Sequence, residues 1–426
     1  MRQTGVLRLA VILFLSAIGG YQVTGAETWK GNHDESNVKS YTLSDPLTLL
    51  NGKKVRNADE WKKLRRPEIL HLFEDNVYGK TPSVAIKPHF DVISTDRDAL
   101  GGKAVRKEVT ISFVGHDGGP KIHLLLYLPR GAKGAVPVFT GLNFGGNHTV
   151  SKDPGITIAN VWLKGRLQRA DEETRGQSVS RWPVERILAR GYGVATAYYG
   201  DIEPDFDGGM EHGVRRMFRS EGQPDQGNNW AAIGSWAWGL GRIADYLVTD
   251  KDVDSKRLVL TGHSRLGKAA LWAGAQDERF AIVISNNSGE GGAALSKRNF
   301  GEDVWRINNS FPHWFARNYR KYSNKESDLP IDQHMLLALI APRPLYVASA
   351  AEDLHADPRG EFLSAVNAGP VYELLGKKGL GTDGMPGIDK PIMKTIAYHI
   401  RAGKHDMTDY DWDRYLDFAD RQWARQ

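Results

Sequence analysis

The chain has 426 residues, 41% of them hydrophobic and 25% charged, which is the balance of a folded globular protein. Disorder, collagen and coiled coil are excluded as its main architecture, and a net charge of +5, spread without long Lys/Arg runs, does not point to nucleic acid. There is no cysteine, which excludes disulfides, thiolate zinc sites and cysteine nucleophiles. Twelve tryptophans lean slightly toward carbohydrate, because an indole face stacks on sugar C–H groups as well as in a core.

Taken in chain order, the first element is apolar and short. Arg2 and Arg8 flank the run from Val6 to Ile18, and small and polar residues follow to Thr24-Gly25-Ala26. A basic region, an apolar stretch and a small-residue site read as a secretory signal peptide over 1–26. The stretch is short for a membrane span, the alternative reading. Cleavage after Ala26 removes two arginines and no acid from the +5 chain and leaves +3. Residues 27–426 are expected to form one domain, secreted or periplasmic, monomeric, free of membrane and nucleic acid, and stable through its core alone.

Residues 27–60 are polar and aperiodic, and read as an extended arm. Beyond about residue 65, apolar runs alternate with helical patterns. Strands are predicted at 121–129, 135–142, 191–199, 257–263, 280–285, 343–350 and 391–399. Helices are predicted at 183–189, 229–248, 265–276, 333–340, 357–367 and 408–424. Such alternation means crossover units and an α/β fold: a mostly parallel sheet with helices on both faces. The polar, Gly-rich stretch 201–228 and the aromatic-rich stretch 289–332 read as long insertions that build a site above the sheet. No repeat or low-complexity linker divides the chain.

The segment Arg257 to Ala273, RLVLTGHSRLGKAALWA, carries the chemistry. An apolar strand runs into Gly262-His263-Ser264-Arg265-Leu266-Gly267 and a helix follows. A serine at a sharp strand-to-helix turn is what an α/β-hydrolase nucleophile needs: the turn lifts the hydroxyl and the helix N-terminus favours negative charge. The match to G-x-S-x-G is imperfect, since Leu266 holds the second small position and Gly267 comes one later. As a purely structural residue, Ser264 would cap the helix.

A serine needs a base, and in this fold the chain order is Ser, acid, His. His405, in Ala402-Gly403-Lys404-His405-Asp406, falls after the last predicted strand. The acid has two candidates: Asp353, after the strand RPLYVASA, and Glu290, in Ser288-Gly289-Glu290-Gly291-Gly292 after the preceding strand. Their structural alternatives are a solvated surface charge and a turn contact. Asp353, His355 and Asp357 match no strong metal pattern. The Gly-rich turn from Gly141 to His148 is a candidate source of oxyanion donors beside the nucleophile, or a plain loop.

The run GHSRLGKAALWAGAQDERFAIVISNNSGEGGAAL resembles the nucleophile region of the glucuronoyl methylesterases, carbohydrate esterase family 15. The likeness extends from about residue 110 to the C-terminus, through RPLYVASAAEDLHADPRGEF and GKHDMTDYDW. It implies cleavage of the ester between 4-O-methyl-glucuronic acid of glucuronoxylan and a lignin alcohol or methanol, with no metal or organic cofactor. It also implies an oxyanion role for Arg265 and a sugar-hydroxyl contact for Lys268, whose structural alternative is a solvated helix charge. Gly301-Glu302-Asp303-Val304-Trp305 resembles a sugar-contacting insertion, with Glu302 the hydrogen-bonding acid and Trp305 a sugar contact or a core residue. Three positions depart from the family pattern. Asn287 stands where many members, fungal ones especially, carry the acid, which moves the expected acid to Asp353 with Glu290 as the fallback. His355 stands where a sugar-contacting Trp is frequent, and His263 precedes the serine where fungal members have Cys. Two other readings remain open: an acetylxylan esterase with the same triad, and a carbohydrate-binding protein with a decayed site.

Overall fold

Each residue of a strand points to one face of its sheet, so a strand apolar at every position must be covered on both sides. The computed structural model describes residues 30–219 and 226–424, and shows this at the centre of the molecule. In the strand Val253–His263, Leu258 and Leu260 join one core while Val259 joins the other. In Leu345–Ala350, Leu345 and Val347 face the first core, Tyr346 and Ala348 the second. The signal peptide expected over 1–26 lies outside the described residues.

The strands are β1 (Pro88–Asp98), β2 (Ala104–Phe113), β3 (Ile122–Pro129), β4 (Val136–Asn143), β5 (Asn160–Leu163), β6 (Arg166–Arg169), β7 (Gly193–Tyr198), β8 (Val253–His263), β9 (Phe280–Asn286), β10 (Leu345–Ala350), β11 (Ile392–Met393) and β12 (Ile396–Arg401). Ten form one sheet in the order β1-β2-β3-β7-β4-β8-β9-β10-β12-β11, and β5 and β6 form a separate hairpin. From β7 to β12 every neighbouring pair is parallel. The flanking pairs are antiparallel.

The helices used below are α1 (Val184–Ala189), α2 (Ala232–Leu247), α3 (Arg265–Gln276), α4 (Val304–Ser310), α5 (Gln333–Ala338), α6 (Pro358–Asn367) and α7 (Asp409–Trp423). One face of the sheet is covered by α2, α3, α5 and α6 through Trp236, Leu240, Trp272, Leu336 and Phe362. The other is covered by α1 and α7 through Ile187, Leu188, Trp412, Leu416 and Phe418. This is the expected three-layer α/β arrangement.

Four differences from the sequence reading have physical causes. Strands β1 and β2 are additional. Arg106, Lys107 and Glu108 interrupt the apolar pattern of β2, yet Arg106 is buried because Asp153 accepts from its Nη1 at 2.6 Å. Second, the β5–β6 hairpin is mostly exposed and has little apolar signal. Third, α4 lies inside an insertion that showed no clear period, and starts where the Asp303 side chain accepts from Arg306 N–H at 2.6 Å. Fourth, the run at 391–399 is two strands, β11 doubling back on β12 with Met393 opposite Ala397. The arm also has a definite path. Asn32 O accepts from Gly301 N–H at 2.7 Å, and Glu35 pairs with Arg298 at 2.7 Å.

Candidate active site

The carboxyl ends of parallel strands are where an open α/β sheet places its ligands, and the singled-out residues follow those ends. Ser264 comes directly after β8, Asn287 directly after β9, Asp353 shortly after β10 and His405 shortly after β12. Ser264 has φ +58° and ψ −129°, a conformation an L-residue holds only under constraint. Its N–H is taken by Asn286 O at 2.9 Å. A Cβ on Gly262 would lie 2.1 Å from Leu266 O, so the chain folds back directly onto this glycine. A Cβ on Gly267 would lie 3.0 Å from the Ser288 Cβ. Position 267 is thus tightly packed and favours a small residue, while the Leu266 side chain turns into the core. That accounts for the shifted glycine spacing.

His405 and Asp353 meet. The imidazole Nδ1 lies 2.6 Å from Asp353 Oδ2, and the same oxygen accepts from Asn287 Nδ2 at 2.8 Å. Burial pushes the Asp353 carboxyl up, but the bonds from His405 and Asn287 outweigh it and hold the group below its ordinary value. Asn287 is itself fixed, with φ +48° and its N–H on Ala348 O at 2.7 Å. The His405 ring packs on that of His263, centroids 4.6 Å apart. His263 Nδ1–H donates to Asn286 Oδ1 at 2.7 Å. Burial, with His405 alongside, draws His263 down to about 3, so it stays neutral at physiological pH. Among the described residues no hydrogen bond joins Ser264 Oγ to His405.

Arg265 opens α3 beside the serine. Its Nη1 is bonded to Asp205 Oδ2, and its guanidinium lies over three rings: Trp314 at 4.8 Å, Phe311 at 5.7 Å and Phe144 at 5.8 Å. Phe144 belongs to the Gly-rich turn after β4. There Asn143 Oδ1 accepts from Gly146 N–H at 2.8 Å and closes the loop.

Lys268 is one helical turn on and is buried. Its Nζ donates to Ser288 O at 2.8 Å and Glu290 O at 2.6 Å, and lies 3.6 Å from Glu302 Oε2. Burial lowers its pKa against the pull of Glu302 and Glu290. Glu302 Oε1 lies 3.4 Å from Nε2 of the half-exposed His355, and Glu302 N–H donates to His355 O at 2.9 Å. Lys268, Glu302 and His355 therefore form one wall. Trp305, the second residue of α4, is half-buried.

Glu290, the fallback acid, is bonded elsewhere. Its Oε1 accepts from Ser296 Oγ at 2.7 Å, from Gly291 N–H at 2.9 Å and from Tyr319 Oη, and it has no bond to His405. Burial pushes it up to about 8 in spite of those bonds. Asp353, His355 and Asp357 do not converge either, since Asp357 pairs with Arg298 at 2.9 Å. The described residues contain no group of three or more acidic, His or Cys side chains that could hold a metal. Asp205, Trp314, Phe311 and His313 were missed by sequence reasoning. The aromatic richness of 289–332 pointed to the last three only as a region, and nothing in the spacing pointed to Asp205.

A strained serine elbow, with a His and an Asp on later strand ends, defines the α/β-hydrolase class. A family model described as glucuronyl esterase of fungi matches residues 225–376. A glucuronoyl esterase from Solibacter usitatus is 54% identical, with a TM-score of 0.89 over 91% of this chain and 100% of that one. A CE15 esterase from a marine bacterial metagenome, described as promiscuous, is 48% identical, with a TM-score of 0.87 over 92% and 99%. A 4-O-methyl-glucuronoyl methylesterase of Schizophyllum commune is 34% identical over 80% of this chain and 75% of its own length. The chain belongs to carbohydrate esterase family 15, the glucuronoyl esterases.

Proposed function

We propose that this protein is a serine esterase that cleaves esters of glucuronic or 4-O-methyl-glucuronic acid on glucuronoxylan, releasing a lignin alcohol or methanol. Family membership supports the reaction class. The single observation that carries the mechanism is the 2.6 Å contact between His405 Nδ1 and Asp353 Oδ2 at the strand ends that bear Ser264.

His405 Nε2 takes the proton of Ser264 Oγ as the oxygen bonds to the ester carbonyl carbon. The carbonyl oxygen becomes an oxyanion, held by Arg265 and backbone N–H groups. The C–O bond to the alcohol breaks, and His405 returns the proton to the leaving oxygen. Water then repeats the sequence on the acyl-enzyme and frees the uronate. Asp353 holds the imidazole in the tautomer with Nδ1–H and balances its charge when it is protonated.

Glu302 accepts from sugar hydroxyls. Burial raises its pKa, but Lys268 and His355 hold it ionised, below its ordinary value. Lys268 stands beside Glu302 and with it contacts the sugar hydroxyls, while its bonds to Ser288 O and Glu290 O fix the 288–290 loop; His355 borders the sugar, and Trp305 offers it a stacking face. The reaction uses side chains and water alone. The leader-like N-terminus supports action outside the cytoplasm, secreted or periplasmic. No helix among the described residues is long and apolar enough to cross a membrane.

The test is hydrolysis of benzyl glucuronate beside an acetylated xylan oligosaccharide, with Ser264→Ala as the blank. Fast, Ser264-dependent release of benzyl alcohol with little acetate is expected. Acetate release without uronate cleavage would contradict the uronate reading and favour an acetylxylan esterase. Binding of xylan oligosaccharide with no turnover would make it a binding protein.

A further inference from the structure

We propose that Asp205 is a positioning residue that aims the guanidinium of Arg265 at the oxyanion. The inference rests on the esterase reading above and deepens it. Asp205 lies in the polar insertion after β7, and its carboxylate is buried. Four donors from three separate segments converge on it. Oδ1 accepts from His313 Nε2 at 2.8 Å and Trp314 Nε1 at 2.6 Å, while Oδ2 accepts from Tyr199 Oη at 3.1 Å and from Arg265 Nη1. Such a carboxylate is held from all sides and cannot follow the guanidinium if that group moves.

The guanidinium is held in turn. Its Nη1 corner is pinned by Asp205, and the rings of Trp314, Phe311 and Phe144 pack around it. Its Nε is buried and has no partner among the described residues. What the planar fork can still offer a substrate is its Nη2 edge. The donor geometry is thus set before the substrate arrives, which is what a preorganised oxyanion hole requires.

Two electrostatic effects oppose each other here. The negative charge of Asp205 weakens the field of Arg265 at the oxyanion. Removing that charge would strengthen the field but release the Nη1 corner that fixes the fork, and the proposal is that the lost aim outweighs the gained charge. The chain also links the site to the fold. His313 O and Trp314 O accept from Ala232 N–H at 3.0 Å and Ile233 N–H at 3.2 Å, the first turn of α2. The 201–219 loop, α2 and α3 are thereby tied around one carboxylate.

The experiment compares Asp205→Asn and Trp314→Phe, each alone and with Arg265→Ala, on benzyl glucuronate. Circular dichroism and thermal melting monitor folding. Trp314→Phe removes one donor to Asp205 yet keeps a ring over the guanidinium, so it serves if Asp205→Asn does not fold. Asp205→Asn is expected to lower kcat about 10- to 100-fold and Trp314→Phe about 3- to 10-fold, with KM within about threefold. Both losses should shrink to about twofold or less once Arg265 is gone, because the effect runs through that residue. A folded variant with wild-type kcat, a loss that persists undiminished in the Arg265→Ala background, or wild-type kcat in Arg265→Ala itself would overturn the proposal. Ser264→Ala separates the two levels. If it still hydrolyses, the esterase reading fails. If it is inactive while Asp205→Asn and Trp314→Phe turn over normally, only the positioning role fails.

Discussion

Asp353 and Glu290 are both buried carboxylates in loops that follow neighbouring parallel strands, and they differ in what surrounds them. Asp353 meets an imidazole and an amide N–H, and is held below its ordinary value. Glu290 meets two hydroxyls and the Gly291 N–H, with the carboxyls of Asp332 and Glu326 near enough to repel it, and burial pushes it up to about 8. The first environment favours an anion beside a histidine, and the second favours the protonated form of an acid among hydroxyls. Position after a strand makes a carboxylate available. Its hydrogen-bond partners decide what it can do.

The largest effect sets the floor for this comparison. Ser264→Ala should lower kcat by about 10⁶-fold, the scale seen when a hydrolase nucleophile is removed, with an unchanged circular dichroism spectrum. Any rate change at either carboxylate has meaning only above that floor. A smaller effect sharpens the Asp353 side. Asn287→Ala removes one donor to Asp353 Oδ2 and should cost about tenfold in kcat, with KM little changed, as expected for a bond to a charged group. Steady-state kinetics on benzyl glucuronate would show it. An unchanged kcat would mean that Asn287 does not support the acid.

The smallest effect is on stability, and its sign differs between the two carboxylates. The folded-state pKa of Glu290, about 8, lies above the ordinary 4.5. Its contribution is complete below pH 4.5 and is lost as pH rises through about 8. Asp353 is shifted below the ordinary 3.8, so its contribution is complete above that value and is lost as pH falls through its lower folded value. Relative to the wild type, Glu290→Gln should therefore gain about 1–3 °C in Tm between pH 5 and pH 8. The Tm deficit of Asp353→Asn should shrink below pH 4. Melting curves across pH check both, and parallel curves for all three proteins would break the comparison.

How far the sequence could be read depended on where each signal comes from. The central strands were readable because Leu258, Val259 and Leu260, or Leu345, Tyr346 and Val347, are apolar on both faces. The elbow was readable because an apolar strand runs into Gly262-His263-Ser264 and a helix follows, even with the second glycine displaced to 267. His405 was readable from its place after the last strand. Strands β1 and β2 were not, because Arg106, Lys107 and Glu108 interrupt the apolar pattern and the ion pair that buries Arg106 comes from Asp153, far along the chain. Asp205 was hidden for the same reason. It meets Arg265 across 60 residues and Trp314 across 109, and no local period records such contacts. The choice between Asp353 and Glu290 also stayed open at that level, since it depends on Asn287 meeting Asp353 across 66 residues and Tyr319 meeting Glu290 across 29.

The assignment of Asp353 as the triad acid is tested most directly by kcat at saturating benzyl glucuronate for Asp353→Asn and Glu290→Gln, measured side by side. With Asp353 as the triad acid, Asp353→Asn should lose about 10³- to 10⁴-fold, as when a triad acid is neutralised, and Glu290→Gln should change by about threefold or less. A larger loss in Glu290→Gln than in Asp353→Asn would contradict it, and would place the working carboxylate in the loop after β9.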